Sequence, residues 1–177
     1  MPDDSHWAAL REAQRLAVAD DPEAALIVTI DIGDRYDIHP ANKQELGRRA
    51  ARAARHLIFG EPVTASGPAP LSAERTDGKI VVRFTGLTGA LQVYGAKRPA
   101  GFELCGAQAD SCRFVDADAR DDRVWLVPDA GTTPVRVRFL WADSPTVNLY
   151  DASGLPVGPF QIDIQSERPP RGSRNGH

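Results

Sequence analysis

The sequence predicts two fold classes in succession: an α/β segment, then an all-β domain of sandwich type, immunoglobulin-like or jelly-roll. Three observations carry this. Helical periods and alanine dominate before about residue 61, whereas valine, aromatic residues, glycine and proline dominate after it. Within the first part, "ALIVTI" (25–30) is apolar and rich in β-branched residues, as a strand buried on both faces would be. The second part breaks into many short apolar runs with Gly, Asp and Pro between them. The expected organisation is an α/β piece over 1–61, a sandwich over 62–165 and a disordered tail over 166–177, where apolar residues are absent.

Taken in order, "SHWAALREAQRLAVA" places Trp7, Leu10, Gln14, Ala17 and Val18 at helical spacing, with Ser5 as the expected N-cap. The strand 25–30 follows, then a loop, then a second helix. Asn42 is placed to cap that helix, and Glu45 stands three residues later as in a capping box. Its apolar face is read as Leu46, Ala50, Ala53, Ala54, Leu57 and Ile58, and Arg48, Arg49, Arg52 and Arg55 as a solvated face. Gly60 ends it. One buried strand with two helices makes no sheet, so sheet neighbours are expected from a part preceding Met1. Beyond residue 70, Asp77-Gly78 is a hairpin turn before the alternating "KIVVRFTG", and "LQVYG", "GFELCGA", "CRFVDA", "RVWLVP", "VRVRFLWA" and "FQIDI" read as further strands.

Composition excludes several functions. A net charge of -3 gives no electrostatic reason for a nucleic-acid or anionic-membrane partner. No apolar run approaches the roughly 18 residues of a membrane helix. Cys105 and Cys112, seven apart and without a nearby histidine, do not make a zinc site; a hairpin disulfide and two free thiols both remain open. Tyr94, Trp125 and Trp141 are candidate stacking platforms for sugar, or else core residues.

The stretch "TIDIGDRYDIHPANKQELGRR" (29–49) holds the main chemical candidate. His39 lies after an expected strand and before a helix, where α/β folds place catalytic groups, with Asp31, Asp34 and Asp37 upstream. It reads as the base of a nucleophilic triad, as a metal ligand or as an ordinary loop histidine.

The segments "WAALREAQ" (7–14), "VTIDIGDRYDIHPANKQELGRR" (28–49), "HLIFGE" (56–61) and "FLWADSPTVNLYDASGLPVGPF" (139–160) resemble the sialate O-acetylesterases of the SGNH/GDSL hydrolase superfamily. The resemblance spans roughly residues 7–164 and corresponds to that family's C-terminal part. It implies a C-terminal fragment of an SGNH-type α/β hydrolase layer followed by the sandwich. It also implies a serine hydrolase that removes acetyl groups from sialic acid or another acetylated sugar, without metal or cofactor. His39 of "DIHP" would be the base. The usual acid position three residues before it holds Tyr36, so Asp37, with Asp34 as alternative, would be the orienting carboxylate. The serine and oxyanion-hole blocks of the family precede the matched region. Ser5 in "DDSH" is a poor substitute, having no strand before it.

The chain alone is therefore expected to be inactive and to need a hydrolase half carrying the serine, in the same or a separate polypeptide. By resemblance its location would be periplasmic or secreted, although no signal peptide is present. The alternative is a non-catalytic, carbohydrate-binding sandwich module.

Overall fold

The computed structural model describes residues 5–165. Two helices come first, α1 (Trp7–Ala19) and α2 (Lys43–Phe59). The strands are β1 (Ala69–Thr76), β2 (Lys79–Thr85), β3 (Leu91–Val93), β4 (Phe102–Cys105), β5 (Arg113–Phe114), β6 (Ala117–Arg120), β7 (Arg123–Leu126), β8 (Arg136–Phe139), β9 (Leu149–Asp151) and β10 (Phe160–Gln165).

Eight of these strands form one sheet in the order β5-β4-β8-β10-β1-β2-β7-β6, and β3 pairs with β9 in a separate ribbon. Only β1 and β10 run parallel; every other pair is antiparallel. Asp77 and Gly78, both with positive φ, turn β1 into β2 as the Asp-Gly pair predicts.

Alternation decides which face of the sheet is buried. In β2, Ile80, Val82 and Phe84 point inward; in β7, Val124 and Leu126 do; in β4, Phe102 and Leu104 do. Residues from both ends of the sheet, Leu104 of β4 and Ala117 of β6, share one core cluster with Leu91 and Leu149 of the ribbon. A flat sheet could not bring its ends together, so the sheet curls and the ribbon helps to cover it. Phe102, Phe139 and Phe160 sit at its centre, Phe102 and Phe139 with ring centroids 4.4 Å apart and Phe139 and Phe160 5.5 Å apart.

The predicted α/β hydrolase layer is not formed. Residues 25–30 carry no strand and join neither sheet. A strand exists through its neighbours' hydrogen bonds, and here the run is held otherwise: the Leu26 N–H donates to Ser66 Oγ, and the Val28 carbonyl accepts from Arg49. The fold is β-rich, a curled mixed sheet with two helices, compatible with a sandwich or half-barrel. The predicted tail over 166–177 lies outside the described residues.

Both helices also face differently from expectation. Asn42 caps α2, accepting from the Glu45 N–H at 3.2 Å, and Gly60 closes it in the left-handed conformation. Its buried residues, however, are Arg49 and Ala53, while Leu46 and Ile58 are exposed. The four arginines are thus not one solvated face: Arg49 is buried, and Arg52 bonds the Thr64 carbonyl and hydroxyl. The Glu45 side chain does not reach back as in a capping box but pairs with Arg48 and Arg49. In α1 the buried residues are Ala8 and Glu12, and Trp7 and Leu10 face solvent. His6, not Ser5, occupies the N-cap, and the Ser5 hydroxyl donates to Asp143 at 2.7 Å.

Candidate functional site

Residues 29–39 hold a succession of tight turns, one closed by backbone and two by aspartate side chains. The Ile32 N–H donates to the Thr29 carbonyl, the Tyr36 N–H to Asp34 Oδ1 at 2.8 Å, and the His39 N–H to Asp37 Oδ1 at 2.7 Å. The last two are aspartate turns, in which a short carboxylate takes the place of a backbone acceptor. Both candidate acids therefore shape the backbone that carries His39. Neither is hydrogen-bonded to the imidazole among the described residues, and His39 itself is exposed. Ring and carboxylates lie on one short loop, with both carboxylates engaged by backbone N–H groups.

The base of this loop is fixed by a charge pair. Arg49 of α2 grips Asp31 with two hydrogen bonds of 2.7 Å, and adds the Val28 carbonyl and Glu45. The hydrogen bond it donates to Asp31 is the chief reason the Arg49 guanidinium is held above its ordinary value, against the opposing effect of burial. Tyr150 of β9 lies against the same pair. Burial, then the charge of Asp31, pushes its phenol up. Helix, loop and ribbon are thus joined at one polar point.

Beside the loop opens a cleft of about 720 Å³. Asp34–Ile38 form one wall, the extended run Leu26–Ile30 a second, and Trp7, Arg11 and Gln14 of α1 a third, with Asp143, Ser144 and Pro159 at the sheet end. Arg11 fastens α1 to that end by donating to the Ala142 and Asp143 carbonyls at 2.8 Å. Ser5 lines the same cleft, its hydroxyl engaged with Asp143.

The other candidates are dispersed. Cys105 and Cys112 are joined as a disulfide that clamps β4 to the start of β5. Trp125 points away from the core beside Val81, its register partner on β2. Tyr94 is half exposed and meets Tyr150 edge-on at 5.2 Å. Trp141 carries the guanidinium of Arg138 over its ring at 4.5 Å. No group of three His, Cys, Asp or Glu side chains able to hold a metal occurs among the described residues, and no helix there is long and apolar enough to cross a membrane.

Sequence reasoning missed two sites. One is the Asp31–Arg49 pair, whose partners lie 18 residues apart and which no local pattern marks. The other is Asp151, fully buried, whose carboxylate accepts from the Thr88, Ser153 and Leu155 N–H groups and the Ser153 hydroxyl. The signal there was "DASG", an aspartate-led turn.

No family model matches the chain, and no curated protein matches it. Comparison with solved structures connects this fold to the esterases. The protein concerned is a carbohydrate acetylesterase from Xanthomonas citri, with 40% sequence identity, a TM-score of 0.80 and a match covering 89% of this chain. The match takes in 36% of that enzyme, so the chain spans little more than a third of its length.

Proposed function

We propose that this chain is part of a carbohydrate O-acetylesterase of the serine type, with His39 as its general base. The observation that carries the proposal is the 40% identity over 89% of the chain with an enzyme described as a carbohydrate acetylesterase. The finer assignment, to the sialate O-acetylesterase type of SGNH hydrolase, is supported by the motifs around residues 28–49 and 139–160. In this reading residues 1–61 belong with the catalytic part of the enzyme and residues 62–165 form its β-rich domain. A periplasmic or secreted location accords with the disulfide between Cys105 and Cys112, since such bonds persist in oxidising compartments.

The chemistry needs a nucleophile, an oxyanion hole, a base and a carboxylate that orients it. A serine outside this chain attacks the acetyl carbonyl of the sugar ester while the His39 imidazole takes its proton. Backbone and side-chain donors, also outside this chain, stabilise the oxyanion. His39 then returns the proton to the sugar oxygen as the C–O bond breaks, and water repeats the sequence to release acetate. Asp37, or Asp34 in its place, orients the imidazole and balances its charge once a substrate site encloses the loop. The chain by itself holds the base without the nucleophile and is expected to turn nothing over.

The test is a chimera in which this chain replaces the matching part of the Xanthomonas enzyme, assayed for acetate release from an acetylated sugar. The chimera should be active. His39→Ala should lower kcat by several orders of magnitude with KM little changed, as for loss of a triad member. Asp37→Asn should lower it more than Asp34→Asn. A folded chimera that is equally active with and without His39 would sink the proposal.

A further inference from the structure

The outer face of the sheet, opposite the phenylalanine core, carries a row of polar and aromatic side chains that the esterase reading does not use. Phe114 of β5 is the register partner of Glu103 on β4; Glu103 is the partner of Arg138 on β8; and Arg138 is the partner of Gln161 on β10. Direct partners in antiparallel strands project to the same side, so the four form one line across four strands. At about 4.8 Å per strand the line is about 14 Å long, roughly three sugar rings.

Its chemistry is specific. Phe114 is 75% exposed, a large ring held in water at the sheet edge. Arg138 is held by a 2.8 Å hydrogen bond from Nε to Gln161 Oε1, and its guanidinium sits over the Trp141 ring, 4.5 Å from the centroid. Glu103 is half-buried, and burial pushes its carboxyl up despite the nearby charge of Arg138. The disulfide clamps the end of β4 to the residue before β5, so the strand carrying Phe114 cannot drift from Glu103. A rigid edge ring beside a carboxylate, a guanidinium and an amide suits sugars. Their C–H faces stack on aromatic rings, and their adjacent hydroxyls bond planar groups in pairs.

We propose that the row Phe114–Glu103–Arg138–Gln161, with Trp141 behind it, is a saccharide-binding surface for a short, extended, uncharged oligosaccharide. The opposite charges of Glu103 and Arg138 offset each other, which disfavours a strongly charged ligand. The open straight line fits an extended chain better than a single terminal sugar. The site stands independently of His39 and of the esterase reading.

Titration calorimetry of this chain with cellohexaose and with xylohexaose tests it. Saturable binding of at least one at millimolar concentration is expected, weakened about tenfold by Phe114→Ala and by Glu103→Gln, about 1.4 kcal/mol each. Phe114 is exposed and Glu103→Gln is isosteric, so both variants keep the fold, which circular dichroism verifies. Absence of binding by both hexaoses overturns the proposal. So does binding that survives both substitutions, or binding abolished by Trp125→Phe instead.

Discussion

Arg49 and Asp31 have side chains only 6% exposed, and their paired hydrogen bonds tie α2 to the loop that presents His39. Removing Asp31 leaves the buried Arg49 charge with Glu45 as its remaining carboxylate, so Asp31→Ala should cost about 3 kcal/mol, the low end for breaking a buried pair. Urea unfolding would show this as a lower midpoint at unchanged slope. Replacing both by apolar residues of similar volume should cost much less, because no charge is then stranded. Glu103 makes the opposite case. Its folded-state pKa lies above its unfolded value, so the native state binds the proton more tightly and stability declines as pH rises through that interval. Glu103→Gln should therefore flatten the stability profile on the alkaline side of the carboxylate range, read from melting temperature against pH. Asp31–Arg49 was not legible in the sequence, because the residue that makes Arg49 an inward-facing position lies 18 residues earlier and only the folded loop brings it near. Arg48, one residue earlier, remains paired at the surface as a helix-face argument expects.

Elements whose signals are local were legible, and those that depend on distant partners were not. The ends of α2 follow from Asn42 and Gly60, each acting on its own helix turn; Asn42→Ala should cost about 1 kcal/mol, seen in thermal unfolding. The β1–β2 hairpin follows from Asp77-Gly78 in the same way. The run 25–30 has the composition of a buried strand, yet strand formation needs hydrogen bonds from neighbours that no local pattern reveals. It stays extended, with Val28 packed on Gly158, where an added Cβ would approach within 3.0 Å. For the β4–β5 hairpin, the sequence left disulfide and free thiols equally open. Reducing Cys105–Cys112 should lower stability by about 2.5 kcal/mol on loop-closure grounds, and amide exchange should rise first in β5. For the candidate site, the sequence puts His39, Asp34 and Asp37 on one loop and its aspartate-led turns were readable there, but that both carboxylates bond backbone N–H groups and not the ring was not.

Across the whole molecule, apolar exposure is uneven. Trp7, Leu10, Leu16, Tyr36, Ile38, Ile58 and Phe59 are all exposed and all fall in the first 61 residues. Such a concentration favours association. Sedimentation velocity should show the chain self-associating as concentration rises, and Ile58→Glu with Phe59→Lys should reduce this without lowering the melting temperature. The sheet beyond is better protected, but its strand order imposes a condition of its own. The last strand, β10, lies in the middle, bonded to β8 on one side and to β1 on the other. Until it arrives, the sheet is two separate halves, each with a raw hydrogen-bonding edge. A chain emerging from the ribosome must therefore keep both edges apart and unjoined until β10, the last of the described strands, is free of the exit tunnel, when one insertion joins the two halves.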